Sequence, residues 1–157
     1  MKKRLFSLLL IVTITLAMFS SCSLLFGDVD DSGSFTVAIE NTNGGYEVFS
    51  VNLDELENKS EGAKGVLEHL DKNDDKLYLE MTDSTYGAYV SAIGSIKESA
   101  ADKMYVIVYT SVAADSYEGA PTVEYDGVTL YQAGVGLSGM TVEAGGTILF
   151  RLEKSPY

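Results

Sequence analysis

The chain has 157 residues and a formal net charge of −12 at pH 7, from 23 acidic and 11 basic side chains. Such a charge repels nucleic-acid phosphates and anionic lipid headgroups, so we expect no nucleic-acid partner. A single cysteine excludes a disulfide framework within the chain. The length suits one ordinary domain with a core of its own.

The N-terminus has the order of an export signal. Three basic residues at positions 2–4 precede an apolar stretch at residues 5–19, which is short for a membrane-spanning helix of about 20 residues. The sequence Phe19-Ser20-Ser21-Cys22 then resembles the bacterial lipobox. We therefore expect residues 1–21 to be a lipoprotein signal peptide and Cys22 to carry the lipid. The alternative is a plain secretory peptide followed by an unpaired thiol.

Residues 22–34 have the composition of a lipid-anchored, flexible tether, because Asp, Ser and Gly dominate their second half. The folded domain is then expected at residues 35–157. Together these features predict an exported protein whose lipid holds it to the bacterial cell membrane. Its domain would face away from the cytoplasm.

Alternating apolar residues predict strands along most of the domain. Residues 35–40 and 46–53 form a predicted hairpin around a Gly- and Asn-rich turn. Residues 104–109 are apolar on both faces, which indicates a central strand. Asp126-Gly127 is typical of a second hairpin turn. Further strands are predicted at residues 77–82, within 86–96, and at 122–125, 128–131 and 148–153.

One amphipathic helix is predicted after the first hairpin. Its apolar stripe has the i, i+3, i+4, i+7 spacing and consists of Ala63, Val66, Leu67 and Leu70. Ser60 is the candidate N-cap. Gly62 and Gly65 weaken the helix, each by up to about 1 kcal/mol relative to Ala. The predicted fold class is therefore α+β, with mostly antiparallel strands and one helix.

Residue types that form catalytic or metal sites are few in this chain, or do not have the spacing that such sites require. His69 is the only histidine, and we interpret it as a surface or boundary residue. Residues 71–75 resemble the start of a calcium loop, but Lys76 and Thr82 replace the required Gly and Glu, so a polar turn is preferred. No nucleophile elbow or phosphate-binding glycine loop occurs. A facing pair of carboxylates is the one enzymatic alternative, and we expect neither catalysis nor a metal site.

Tyrosine is the residue type that stands out, with ten copies and no tryptophan. Exposed tyrosines near glycines commonly form binding surfaces. Tyr105 and Tyr109 are better explained as strand residues. Tyr86, Tyr89 and Tyr117 lie in or near predicted loops. For these three, a role in ligand binding and the strand propensity of tyrosine are equally good explanations. The candidate ligand-binding residues are Tyr86, Gly87, Tyr89 and Tyr117.

Several segments are similar to the transcobalamin-like C-terminal domain family. They are residues 66–70 (VLEHL), 85–90 (TYGAYV), 93–96 (IGSI), 102–111 (DKMYVIVYTS), 123–127 (VEYDG) and 134–146. The resemblance spans about residues 46–153, and Val106 stands where members of the family commonly have Trp. It implies a β-grasp-like fold, in which a mixed sheet wraps one helix.

The resemblance also implies a function, because the family is named after carriers of vitamin B12. We expect a surface-anchored, non-catalytic ligand-binding module, with cobalamin or another corrinoid as the leading candidate ligand. The alternative is a protein- or glycan-interaction module of the cell envelope, which the acidic surface and the tether favour.

Overall fold

The computed structural model describes residues 33–155. The predicted signal peptide, the predicted lipidation site Cys22 and most of the predicted tether lie outside these residues. Ser34, assigned above to the tether, already begins the first strand.

Nine strands and one α-helix follow one another in the described residues. They are β1 (Ser34–Glu40), β2 (Tyr46–Asn52), α1 (Gly62–Asn73), β3 (Leu79–Ser84), β4 (Gly87–Ile93), β5 (Ile96–Lys97), β6 (Met104–Thr110), β7 (Thr122–Tyr125), β8 (Val128–Gln132) and β9 (Thr147–Lys154). Helix α1, of 12 residues, is too short to cross a bilayer, and the described part of the chain has no longer apolar helix.

The strands form two sheets. The larger sheet has the order β2-β1-β9-β6-β8-β7, and only the β1–β9 pair is parallel. The smaller sheet is antiparallel, in the order β3-β4-β5. The predicted α+β class and the interior position of β6 are confirmed. A single mixed sheet is not seen, and the β-grasp-like arrangement stays a prediction.

The main core lies between one face of the larger sheet, helix α1 and the smaller sheet. Alternation puts every second residue of β1 and β9 on this face, as predicted. The predicted apolar stripe of α1 is buried there as well. Members of this core from the larger sheet include Phe35, Val37, Ile39, Ile148 and Phe150.

The opposite face, which we call the outer face, carries a second apolar cluster under the β7–β8 hairpin. Its fully buried members are Ala38, Tyr109, Leu130 and Leu149. Strand β8 pairs with β6 only at Tyr109 and Thr110, whereas β9 pairs along the whole of β6. Among the described residues, positions 105–107 of β6 therefore have no strand beside them on the side away from β9.

The larger sheet is strongly curled. Tyr46 lies on β2 and Tyr125 on β7, at opposite edges of the sheet, yet their ring centroids are 4.9 Å apart in an edge-on contact. The hairpin therefore folds across the outer face until the two edge strands meet.

Helix α1 begins later than predicted, and Ser60 does not cap it. The Ser60 hydroxyl donates to Oδ1 of Asn58 at 2.8 Å, in a short 3-10 turn that precedes the helix. Gly62, the first helical residue, has a φ of 54° and is surrounded by backbone carbonyls of residues 137, 138 and 140. A tertiary contact, rather than a side-chain cap, therefore sets the start of the helix.

Candidate ligand-binding surface

The β3–β4 turn carries three of the four predicted ligand-binding residues. Tyr86 is 90% exposed at the turn, and Gly87 and Tyr89 belong to β4. The Ser84 hydroxyl closes the turn, because it donates to the Gly87 carbonyl and accepts the Tyr86 N–H. Gly87 has a φ of 104°, a conformation that side-chain-bearing residues rarely adopt.

Tyr89 is fixed beside β6 through Glu98. The Tyr89 hydroxyl donates to Oε1 of Glu98, and the same oxygen accepts the N–H of Val106 at 2.9 Å. Burial, together with the Glu98 carboxylate, raises the pKa of Tyr89 well above its usual value. The hydroxyl therefore remains a protonated donor at neutral pH, and the half-exposed side chain stays in place.

Tyr117 lies on the other side of β6, in the segment between the 3-10 turn Ala113–Asp115 and β7. Its hydroxyl donates to Oε1 of Gln132 at 3.2 Å, and its side chain is 49% exposed. The ring packs against Gly134, where an added Cβ would lie 3.2 Å from Cδ1 of the ring. Tyr117 therefore stands at the surface with its hydroxyl anchored.

Residues 133–141, which we call the joining segment, connect these two regions. A Cβ at Gly136 would overlap the carbonyl oxygen of Tyr86, so the two backbones are in direct contact. Ser138 Oγ accepts the N–H of Ala88 at 3.2 Å. Sequence patterns alone missed this segment. Its signal is the spacing of Gly134, Gly136 and Gly139, since glycine often marks a close approach of backbones.

Asp115 fastens the Tyr117 region to the joining segment. Its side chain is 6% exposed, and its carboxylate accepts the backbone N–H of Thr141 at 2.7 Å and the Thr141 hydroxyl at 3.0 Å. Its own carbonyl accepts the N–H of Gly134 at 2.8 Å. Two charge-assisted hydrogen bonds thus hold the buried Asp115 carboxylate, and they tie the Tyr117 region to the joining segment.

Two depressions adjoin β6, and both are lined by Ile107 and Gln132. The inner pit has a volume of about 190 Å³, and its residues include Ala88, Tyr89, Val90, Val106, Val108 and Met140. The outer cleft has a volume of about 720 Å³ and lies on the outer face. Its other residues include Tyr105, Tyr117, Pro121, Glu153 and Lys154. Of the predicted residues, Tyr89 lines the pit and Tyr117 lines the cleft. Tyr86 and Gly87 line neither.

A cluster of polar side chains on the outer face adjoins the outer cleft. The Tyr109 hydroxyl donates to Oε1 of Glu153 at 2.8 Å. Arg151 pairs with Glu40 and, at 3.5 Å, with the same oxygen of Glu153. Burial and the Glu153 carboxylate raise the pKa of Tyr109 to about 12. The tyrosine therefore donates a fixed hydrogen bond throughout the physiological pH range.

Among residues 33–155, no three His, Cys, Asp or Glu side chains converge as a metal site would require. His69 is half-exposed on α1, with its Nδ1 3.4 Å from Nδ2 of Asn73. The segment that resembles a calcium loop spans the end of α1 and the turn after it. There the Asp74 carboxylate accepts the N–H of Lys76 at 2.9 Å, as in a polar turn.

No family model and no curated protein matches the chain. Among solved structures it is similar to a proposed metal-binding protein from Ruminococcus gnavus ATCC 29149. The TM-score is 0.54 at 11% identity, over 78% of this chain and 98% of that one. It is also similar to haptocorrin in complex with Cbi, with a TM-score of 0.53 at 15% identity, over 82% of this chain and 26% of that one. The chain thus shares its fold with about a quarter of haptocorrin.

Proposed function

We propose that this chain is a non-catalytic ligand-binding module whose ligand lies across β6, between Tyr89 and Tyr117, with cobalamin or another corrinoid as the leading candidate. One observation carries the proposal. The inner pit and the outer cleft adjoin at Ile107 and Gln132, and Tyr89 lines the pit while Tyr117 lines the cleft. About a quarter of haptocorrin, whose solved structure is a complex with Cbi, has the same fold.

The chemistry of this surface suits a flat ligand with a polar rim. The walls of the inner pit are mostly apolar, and Tyr89 and Tyr117 offer rings that are about half exposed. Gln132 supplies an amide between the two depressions. Since the surface is open, it covers only one side of a ligand, and we expect micromolar rather than nanomolar affinity.

The proposal extends to where the module acts. The basic start, the apolar stretch and the lipobox-like residues support an exported chain that a lipid on Cys22 anchors to the bacterial cell membrane. Residues 35–157 would then be displayed as a β-grasp-like, transcobalamin-like domain outside the cytoplasm. Metabolic labelling of the expressed protein with a fatty acid, compared with a Cys22→Ala variant, tests the anchor. Equal labelling of both would reject it.

Isothermal titration of the full-length chain in detergent with cyanocobalamin and cobinamide tests ligand binding. We expect saturable heat, and weaker binding for Tyr89→Leu and Tyr117→Leu because each loses a stacking ring. Tyr78→Leu is the matched control, since Tyr78 is 51% exposed and lines neither depression. Absence of heat at millimolar ligand would reject a corrinoid.

A second candidate function is an interaction with another envelope protein. The observation that favours it is an apolar patch beside the Tyr46–Tyr125 contact, where Val48 is 54% and Val128 is 45% exposed. Contiguous exposed apolar patches often mark interaction surfaces. A Val48→Asp, Val128→Asp variant should lose a partner that co-purifies from envelope extracts. Retention of that partner by the variant would count against this patch.

A further inference from the structure

The outer cleft combines two aromatic rings with one carboxylate. Tyr105 and Glu153 face each other directly in the β6–β9 register, on the outer face. Tyr117 also lines the cleft, with its hydroxyl tied to Gln132. The cleft has a volume of about 720 Å³, and Ile107 also lines it. A group that enters it meets two tyrosine side chains and a carboxylate together.

Glu153 is the one acidic side chain among the residues that line the cleft. Glu40 and Glu153 share Arg151, which leaves one negative charge on these three side chains, and Lys154 of the cleft lining balances it. The Tyr109 hydroxyl holds the Glu153 carboxylate in place. The whole chain carries a net charge of −12, which raises the local concentration of cations. Lys154, at the rim, is the one basic side chain among the residues that line the cleft, and it is exposed.

We infer that the outer cleft binds an organic ammonium group between Tyr105 and Tyr117, with Glu153 as its counter-charge. An ammonium within about 6 Å of a tyrosine ring is attracted by the negative face of the ring, and a nearby carboxylate adds to this attraction. Lys154 does not block the cleft, because its flexible stem lets its own ammonium extend into water, but its charge still weakens the binding of a second cation. The inference does not depend on the corrinoid proposed above.

Titration with choline, monitored by tyrosine fluorescence, tests the inference on the full-length chain in detergent. The chain has ten tyrosines and no tryptophan, so the signal comes from the tyrosines. The control is 3,3-dimethylbutan-1-ol, which has the shape of choline without its charge. We expect choline to bind at least about tenfold more tightly than the neutral alcohol, and added salt to weaken choline binding. Equal affinities, or no response to choline, would overturn the inference.

Variants then separate the contributions of ring and charge. Tyr105→Phe should keep choline affinity, and Tyr105→Leu should lower it about tenfold. Glu153→Gln should lower it as well, and Lys154→Ala should raise it. Tyr105 and Lys154 are exposed, so their variants are expected to fold even if Glu153→Gln, which disturbs the Tyr109 and Arg151 contacts, does not. Unchanged affinity in both Tyr105→Leu and Lys154→Ala would reject this site.

The choline and corrinoid titrations have separate readings. Choline binding without corrinoid heat supports the ammonium site and rejects the corrinoid. Saturable heat with a corrinoid but no response to choline supports the corrinoid and rejects the ammonium site. If both bind, competition between them shows whether the corrinoid also occupies the outer cleft.

Discussion

Tyr109 couples the stability of the domain to alkaline pH. Burial and the bond to Glu153 raise its pKa to about 12, against about 10 in an unfolded chain. The folded state therefore holds this proton more tightly. Its contribution to the free energy of unfolding is complete below about pH 10 and is lost as the pH rises to about 12.

We expect Tyr109→Phe to lower the free energy of unfolding at neutral pH by about 1.5–3 kcal/mol, because one hydrogen bond to a charged group is lost. The variant should also lose less stability than the parent chain between neutral and alkaline pH. Tyr89, whose pKa is raised too, accounts for part of the loss that remains. Urea unfolding over a series of pH values measures both effects. Superimposable pH profiles for the two proteins would contradict this account.

Gly136 marks the contact between the joining segment and the β3–β4 turn. An added Cβ would overlap the Tyr86 carbonyl oxygen and lie 3.1 Å from Cα of Gly87. Since both neighbours are backbone, Gly136→Ala should cost about 1–3 kcal/mol of stability and displace Tyr89 from the pit. Gly139→Ala is the control, because its nearest neighbour would be the Val135 Cβ at 4.0 Å. The midpoint of thermal unfolding should be clearly lower for Gly136→Ala than for Gly139→Ala. Equal midpoints would contradict the contact between the two backbones.

Helix α1 shows how tertiary contacts override helix propensity at the scale of one element. Propensity alone predicts that Gly65→Ala would stabilise the helix by about 1 kcal/mol. In the fold, a Cβ at Gly65 would lie 2.5 Å from the Asn58 carbonyl oxygen, which is backbone. We therefore expect Gly65→Ala to destabilise the protein. Chemical denaturation measures the sign, and a gain in stability would show that residues 58–61 move aside easily.

Local patterns predicted the elements that depend on local residues. The alternation along β1 and β2 and the turn at Asp126-Gly127 predicted two hairpins, and both antiparallel pairs are present. The Ser60 cap was wrong because the helix start depends on carbonyls about 75 residues away. Contacts between distant segments leave no period in the sequence, which is why the division into two sheets was not foreseen.

The candidate site, like the fold, was predicted only where neighbouring residues in the sequence determine it. Tyr89 and Tyr117 were predicted from their own neighbours, and each lines one of the two depressions. The bonds between Asp115 and Thr141 span 26 residues, so no short pattern could reveal them. Tyr105 was assigned to a strand, which is correct, but only the curl of the sheet places it in the outer cleft.

At the scale of the whole molecule, the curl of the larger sheet creates the outer cleft. Strand β6 leaves β8 after two paired positions, and the departing hairpin covers the second apolar cluster. Gln132, at the end of β8, is where the hairpin, Tyr117 and both depressions meet. The shape of the binding surface therefore depends on how firmly the hairpin packs on the outer face.

Leu130 is the side chain that tests this dependence. It is fully buried in the second cluster, whereas Val128, two residues earlier on the same strand, is 45% exposed. Leu130→Ala should cost about 2–5 kcal/mol of stability through lost contacts and a cavity. Val128→Ala should stay within about 0.5 kcal/mol of the parent chain. Because a loosened hairpin also frees Gln132 and Tyr117, Leu130→Ala should weaken choline binding at temperatures where it remains folded. Equal stability and equal binding of the two variants would show that the hairpin does not shape the cleft.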